Sequence, residues 1–372
     1  MAALAVHAAP TRVDLHPGAW APDDGAELRY DQATDTPLGA LTVRHGGAVL
    51  RDTTFTDGTI EYDVRELADN GGIPGLWFHR RDAQVAENVY LRLDSGCHQT
   101  GECVQYAPVA RGNVQWDVYP EYEADAPIHD VGWNHVKLVI SGKRMRVFIN
   151  GQATPALDVA QLEGDGASGG LAVRGDATYA NLFISPDVVD GLSREPLPDT
   201  TADDPTYLRQ WQVGPVEHLE RGQAVSLPDR PSGLRNWPPL AAERKGFVNL
   251  GRANGTARDT PDLAWLHATV ESDRPQVRHV SLGWAREIWV FANGKPVFVA
   301  ANHYYPAAAR RAPLGRMALA NDGFELPLQA GSNEIDVAIS DDLPSARHWG
   351  WGFVWKFDQI DGLALPRAGA GM

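Results

Sequence analysis

The sequence predicts an all-β protein made of two antiparallel sandwich domains, and three observations predict it. The chain has 372 residues, enough for about two domains that each bury a core. Its 37 glycines and 26 prolines punctuate it every few residues, and no long segment shows the 3.6-residue period of an amphipathic helix. The same turn device also recurs in both halves. Gly132 to Gln152 reads as two short strands joined by a tight turn, and Arg286 to Val299 places an apolar strand, an Asn-Gly turn at Asn293 and Gly294, and a returning strand. Asn-Gly is the strongest short hairpin signal, because both residues accept the positive φ of a type I′ turn.

The first domain is read as residues 12–185. In Gly58-Thr-Ile-Glu-Tyr-Asp-Val-Arg-Glu, Ile60, Tyr62 and Val64 alternate with Glu61, Asp63 and Arg65, the period of a half-buried strand. Gly75-Leu-Trp-Phe-His-Arg follows, and then Asn88-Val-Tyr-Leu-Arg-Leu-Asp. The latter turns Val89, Leu91 and Leu93 to one face and Asn88, Tyr90, Arg92 and Asp94 to the other. An amide, a phenol, a guanidinium and a carboxylate in one row can hydrogen-bond a polar ligand, although any solvated sandwich face alternates this way. Trp77 and His79 on the preceding strand favour the ligand reading, since sugar rings stack their C–H faces on aromatics. Arg81, Gln105 and Trp116 join them as candidate contacts.

Residues 186–206, rich in Pro and Asp, read as a linker, and 207–365 as the second domain. Strand-like pieces recur there at short spacing: Leu263-Ala-Trp-Leu-His-Ala-Thr-Val, Val277-Arg-His-Val-Ser-Leu-Gly, Ile288-Trp-Val-Phe-Ala, Phe324-Glu-Leu-Pro-Leu, Asn333-Glu-Ile-Asp-Val-Ala-Ile-Ser and Trp351-Gly-Phe-Val-Trp-Lys-Phe. About eight such strands suit a jelly roll. Asn302-His-Tyr-Tyr305 and Arg347-His-Trp-Gly-Trp351 gather aromatic and polar groups where jelly rolls present their loops. Trp349 and Trp351 alternate, so one packs inward; Trp349 is a further ligand candidate.

Asp and Glu number 48 against 33 Lys and Arg, a formal charge of −15, so nucleic acid would be repelled rather than gathered. No apolar run approaches the roughly 20 residues of a bilayer span. The opening Met-Ala-Ala-Leu-Ala-Val-His-Ala-Ala-Pro carries a Val6-His7-Ala8 sequence of the kind export peptidases cut; a trimmed signal and an ordinary terminus both fit it. Cys97 and Cys103 enclose His-Gln-Thr-Gly-Glu, and a disulfide pinning this tip suits an oxidising compartment. Free thiols are a second reading, and a metal held with His98 and Glu102 a crowded third. No P-loop of the form Gly-x4-Gly-Lys-Ser/Thr and no His-Glu-x-x-His occurs, so no cofactor is expected. A structural Ca2+ would have to use Asp69-Asn70 or Asp322 without a recognisable loop motif.

Phe55-Thr-Asp-Gly-Thr-Ile-Glu-Tyr-Asp-Val, Gly75-Leu-Trp-Phe-His-Arg, Gly132-Trp-Asn-His-Val, Val147-Phe-Ile-Asn-Gly and Gly169-Gly-Leu-Ala-Val-Arg leading to Ala180-Asn-Leu-Phe-Ile together resemble the concanavalin-like lectin/glucanase sandwich, in its laminin-G-like and 3-keto-disaccharide hydrolase-like branches. Val290-Phe-Ala-Asn-Gly, Phe324-Glu-Leu-Pro-Leu-Gln-Ala-Gly-Ser-Asn-Glu-Ile and Trp349-Gly-Trp-Gly-Phe resemble a galactose-binding-like jelly roll. The first resemblance is specific for fold and serves lectins, hydrolases and adhesion modules alike. Glu61-Tyr-Asp63-Val-Arg-Glu66 has the spacing of the catalytic strand of laminarinase-like glucanases, but it sits on a segment that laminin-G-like sandwiches use as scaffold. In the hydrolase-like branch an arginine ends the strand where this chain has Phe78-His79-Arg80.

The expectation is therefore a secreted or periplasmic protein that recognises an oligosaccharide or polysaccharide on the polar and aromatic face of a concanavalin-like β-sandwich, followed by a second sandwich or jelly roll. Binding falls to Trp77, Arg81, Asn88, Asp94, Gln105, Trp116 and Trp349. The alternative is a glycoside hydrolase or 3-keto-glycoside lyase using the same face, with His79 as base beside Tyr90 and Arg92. A third reading is an adhesion or scaffold protein.

Overall fold

The computed structural model describes residues 9–67, 72–94, 96–220, 222–255, 262–341 and 349–366. Val6-His7-Ala8, which fits a trimmed signal and an ordinary terminus alike, and the Asp69-Asn70 pair offered for calcium lie outside these residues, as does Arg347. Among the described residues no helix is long and apolar enough to cross a membrane. The chain is all-β and divides into two compact units. The first comprises Met1–Ala110 and Glu121–Leu197, the second Arg111–Pro120 and Pro198–Met372. One boundary thus falls inside the Pro- and Asp-rich stretch, and a ten-residue piece that the sequence reading kept in the first domain belongs to the second unit.

The first unit holds two antiparallel sheets. One runs Leu157–Val159, Arg144–Ile149, Asn134–Ser141, Gly58–Glu66, Ala177–Pro186, Thr36–Arg44, Glu27–Ala33. The other runs Val104–Ala110, Val85–Leu91, Gly75–Asp82, Gly170–Arg174, Gly47–Leu50, Trp20–Asp23, with Glu123–Ala124 paired to Val104–Ala110. Alternation supplies each with an apolar face. Ile60, Tyr62, Val64, Val136 and Leu138 from the first sheet and Leu76, Phe78, Val89, Leu91 and Tyr106 from the second are all buried. Tyr179 ties the layers together: its buried hydroxyl accepts from the Gly75 N–H at 3.1 Å and donates to the Arg174 carbonyl. Both of those groups belong to the opposite sheet.

Both Asn-Gly pairs adopt the positive φ expected of them: Asn150 +51° and Gly151 +73°, Asn293 +49° and Gly294 +83°. The structure adds a use for the asparagines. The Asn150 N–H donates to the His135 carbonyl (2.8 Å) while its side-chain oxygen accepts from the His135 N–H (2.8 Å). Asn293 does the same with Glu334, at 2.9 and 3.0 Å. In each unit an amide side chain stands in for a peptide carbonyl and extends the ladder past the turn, which Gly or Ala could not do.

The sheet order of the second unit is Pro239–Ala241, Gln210–Val213, Asp262–Ser272, Gly331–Ser340, Gln276–Ala292, Gly352–Phe357, Phe247–Asn249. Gln276–Ala292 is its organising strand. Its first part pairs with Asp322–Leu328 and Gly352–Phe357, and its second part, from Arg286, with Gly331–Ser340 and Lys295–Asn302. A strand that changes layers must bend. The changeover falls at Arg286, whose φ of +87° is rare for a non-glycine residue. Val280, Leu282 and Trp284 before the bend and Ile288 and Val290 after it share one core with Trp211, Trp351, Phe353 and Trp355.

The bend is held by a buried ion pair. Arg286 Nη1 lies 2.5 Å from Asp117 Oδ2, with the two side chains 2 % and 0 % exposed. Asp117 is carried by the Arg111–Pro120 piece, whose backbone is tied in by Asp117 N–H to Trp349 O (2.8 Å) and Met317 N–H to Asp117 O (3.0 Å). Burial outweighs the nearby guanidiniums of Arg286 and Arg316 and pushes the Asp117 carboxyl above the usual carboxylate range. Removing one partner of such a pair leaves a buried charge uncompensated. Asp117→Ala is therefore expected to lower unfolding free energy by about 3–5 kcal/mol, measured by guanidinium unfolding followed through tryptophan fluorescence. A loss within experimental error would mean the pair does not hold the bend.

Candidate functional site

Residues directly opposite in an antiparallel pair share a sheet face, so register decides which chemistry meets. Trp77 is opposite Asn88, and Asn88 opposite Ala107. One step along, Asp23 is opposite Gly47, Gly47 opposite Arg174, Arg174 opposite Gly75, Gly75 opposite Tyr90 and Tyr90 opposite Gln105. Trp77, Asn88, Tyr90 and Gln105 therefore do lie together, on the face opposite Leu76, Val89 and Tyr106, and Arg92 continues the row. A Cβ at Gly47 would come within 2.9 Å of Arg174 Cγ, and one at Gly75 within 3.0 Å of Tyr90 Cβ. Glycine at these positions leaves room for the neighbouring side chains.

Two polar networks bracket the aromatic centre. At one end Asp23 Oδ2 accepts from Arg174 Nη1 (2.9 Å) and Arg80 Nη2 (3.0 Å), and Arg174 also pairs with Asp24. At the other end Gln105 accepts from Arg92 Nε (3.3 Å) and donates to Glu123 Oε2 (2.8 Å), while Arg92 lies 3.6 Å from Glu102. The centre is recessed. Trp77, Asn88 and Tyr90 are each 7 % exposed and Gln105 1 %. The Arg174 guanidinium sits 4.3 Å from the Trp77 ring centroid, a cation–π contact. Trp77 thus stacks on an arginine of its own chain, so the open sugar-stacking platform expected of it is not what this face presents.

The remaining candidates lie elsewhere. The strand register shifts between Phe78 and Asp82, and His79 sits in that irregularity with φ +48°. Alternation fails there, and the imidazole packs with Phe55 and Phe78, its Nε2 2.7 Å from the Thr56 carbonyl. It is 1 % exposed, and burial lowers its pKa. Its partners include no member of the row, and a nitrogen facing a carbonyl must carry a proton, so that nitrogen is no base. Arg81 and Asp94 are exposed. Trp116 and Trp349 belong to the second unit, where their rings meet edge to face at 5.0 Å. Tyr304 joins them 4.7 Å from Trp116, and Tyr305 beside it is 45 % exposed. Arg316 and Arg310 lie over Trp116 and Tyr304, at 4.3 and 4.0 Å. Trp351 is the inward member of the Trp349, Trp351 pair, fully buried. Asp322 is held by Arg311 at 2.7 Å.

Glu61 and Asp63 stand on the other sheet of the first unit. His135 Nδ1 is 2.7 Å from Asp63 Oδ1, Asn181 donates to Asp63 Oδ2 at 2.6 Å, and His135 Nε2 lies 3.6 Å from Glu61. The two carboxylates are thus engaged by a histidine and an amide. The hydrogen bonds from His135 and Asn181 outweigh desolvation and lower the Asp63 pKa, while the Asp63 hydrogen bond raises that of His135.

Sequence reasoning missed Asp23, Arg80, Arg174 and Glu123, which complete the row. Arg174 was within reach: in Gly170-Leu-Ala-Val-Arg it alternates with Leu171 and Val173, both buried. Asp23 and Glu123 lie on strands too short to show a period.

The raised pKa of His135 means that its contribution to stability is full below its unfolded value, about 6.5, and fades as pH rises through the higher folded value. Asp63 contributes above about 3.9 and loses that contribution as pH falls through its lower folded value. His135→Gln is accordingly expected to destabilise more at about pH 5.5 than at about pH 8, measured by thermal unfolding. Equal losses at the two pH values would contradict the assignment.

No known protein family matches the chain, and no curated protein does. Solved structures do. The carbohydrate-binding module CBM66 from Bacillus subtilis is 16 % identical over 45 % of this chain and 93 % of its own, with a TM-score of 0.33. A protein of unknown function with a galectin-like fold from Bacillus subtilis is 14 % identical over 48 % and 97 %, TM-score 0.34. A glycoside hydrolase family 16 endo-glucanase from Bacteroides ovatus is 10 % identical over 49 % and 89 %, TM-score 0.33.

Proposed function

We propose that the protein recognises a carbohydrate, held by the face of the first unit on which Trp77, Asn88 and Tyr90 lie between two charged networks. The observation that carries this reading is the pairing at both ends: Arg174 and Arg80 on Asp23, and Arg92 beside Glu102 and on Gln105, which in turn donates to Glu123. A sugar hydroxyl both donates and accepts. Guanidinium–carboxylate pairs offer both functions side by side, and their charge-assisted bonds are the strong ones. Recognition here would rest on hydrogen bonding to vicinal hydroxyls, with the edges of the aromatic rings as the floor. An exported setting fits, because the Cys97–Cys103 disulfide near the end of the row persists under oxidising conditions.

Binding is favoured over cleavage. The histidine that a lyase would use as base faces a backbone carbonyl outside the row, and Asp23 and Glu123 are each held by a cation or an amide.

A panel of oligosaccharides screened by calorimetry and by product analysis tests the reading. Wild type is expected to bind at least one of them without releasing products. Arg92→Ala and Arg174→Ala are each expected to weaken that binding roughly 10- to 100-fold, the loss of a charged hydrogen bond, with near-ultraviolet circular dichroism unchanged. Product release would favour the hydrolase or lyase. Unaltered affinity in both variants would move the site away from this face.

A further inference from the structure

We propose that the Cys97–Cys103 loop becomes a zinc site when its disulfide is reduced, with Cys97, Cys103, His98 and Asp125 as ligands. In the structure the two cysteines are bonded, their Cα atoms 4.8 Å apart. The sulfurs and the His98 ring are already gathered: the ligand atoms of Cys97, His98 and Cys103 all lie within 4.8 Å of one another. Cys103 Sγ is 3.5 Å from His98 Nδ1 and 3.3 Å from Asp125 Oδ1. A tetrahedral zinc with Zn–S of about 2.3 Å and Zn–N or Zn–O of about 2.05 Å places neighbouring sulfur and nitrogen or oxygen ligands about 3.5 Å apart. Those two edges of the tetrahedron are present before any metal enters. His98 Nδ1 and Asp125 Oδ1 are 2.5 Å apart, a hydrogen bond that the metal would replace and open.

The ligand set is that of a zinc site rather than a calcium site, since two thiolates and an imidazole select a borderline-soft cation. Glu102, the fourth ligand that sequence spacing offers, is drawn off by Arg92 at 3.6 Å. Asp125, the residue after the short strand Glu123–Ala124 and 22 positions beyond Cys103, takes its place. The side chains of His98 and Asp125 are 38 % and 62 % exposed, whereas Cys97 and Cys103 are 2 % and 0 % exposed. Metal would arrive from the histidine and aspartate side and meet the sulfurs at the back.

The chemistry balances with a dithiol as reductant. Its two thiols supply two electrons and two protons and become a disulfide, while the Cys97–Cys103 S–S bond breaks to two thiols. Zinc then displaces both thiol protons, and His98 Nδ1 gives up any proton it shares with Asp125. Oxidation reverses the sequence and expels the metal. Loop and row are adjacent, because the Arg92 N–H donates to the Cys103 carbonyl at 3.0 Å. Opening the disulfide therefore acts on the first residue of one bracketing network.

The full chain, reduced with a water-soluble phosphine under argon, is titrated with Co2+ as a spectroscopic probe and then with Zn2+. The expected result is a thiolate-to-cobalt charge-transfer band that saturates at a single equivalent and is bleached by zinc, with no band in the oxidised protein. Cys103→Ser should abolish the band, and His98→Ala and Asp125→Ala should each weaken binding roughly tenfold or more. The proposal is overturned if the reduced chain gives no band, or if the two Ala variants bind as wild type does. Circular dichroism covers the remaining case: a fold lost on reduction and restored by zinc supports the site, and one that zinc does not restore overturns it.

Discussion

The first unit depends on one hydroxyl. Tyr179 reaches from the inner face of one sheet to the Gly75 amide and the Arg174 carbonyl of the other, so the two layers are joined by hydrogen bonds as well as by apolar packing. Both anchor groups lie on strands that build the candidate ligand face. Side chains alternate across a strand, and a slip of one residue would exchange every group of the row for a core residue. With Gly75 and Arg174 fixed in one register, Tyr90, Gln105 and Asp23 follow by pairing alone. The chemistry of the outer face is thus set by a contact on the inner one.

The second unit meets a similar need by other means. Its longest strand serves two layers and must turn, and the turn falls on an arginine with positive φ rather than on a glycine. Arginine suits the position because its side chain meets Asp117 in the interior. Backbone strain and a buried charge are each unfavourable alone. Here they share one residue, and the ion pair that compensates the charge also keeps the backbone where it is. The aromatic cluster of Trp116, Tyr304 and Trp349 surrounds the same piece of chain, with Trp116 next to Asp117 in sequence.

What was legible in the sequence follows the range of the interactions. Period-two strands and Asn-Gly turns are local, and they appear where the residues put them. The shared face of Trp77, Asn88, Tyr90 and Arg92 was readable because alternation holds from Gly75 to Phe78 and from Val85 through Arg92. His79 was misplaced because a strand irregularity breaks that alternation. The close approach of Gly166 and Gly169 to the His79 backbone accompanies it, and neither glycine signals this from nearly ninety positions away. Arg174 with Asp23 and Arg286 with Asp117 join residues more than a hundred positions apart, where no spacing rule applies. Cysteine spacing suggested a closed loop, but Asp125 became its neighbour only through strand pairing of Glu123–Ala124 with Val104–Ala110.

The assignment of Arg111–Pro120 to the second unit has a consequence for how this chain can be inherited or cut. The polypeptide passes from one unit to the other three times, after Ala110, after Pro120 and after Leu197. A gene fusion or a protease acting at the Pro- and Asp-rich stretch would not release two self-sufficient modules. The downstream fragment would lack Asp117 and leave the buried Arg286 guanidinium without its counter-ion. The upstream fragment would carry a loop whose tryptophan and carboxylate have lost their surroundings. Recombination can therefore shuffle this pair of sandwiches only as a single cassette.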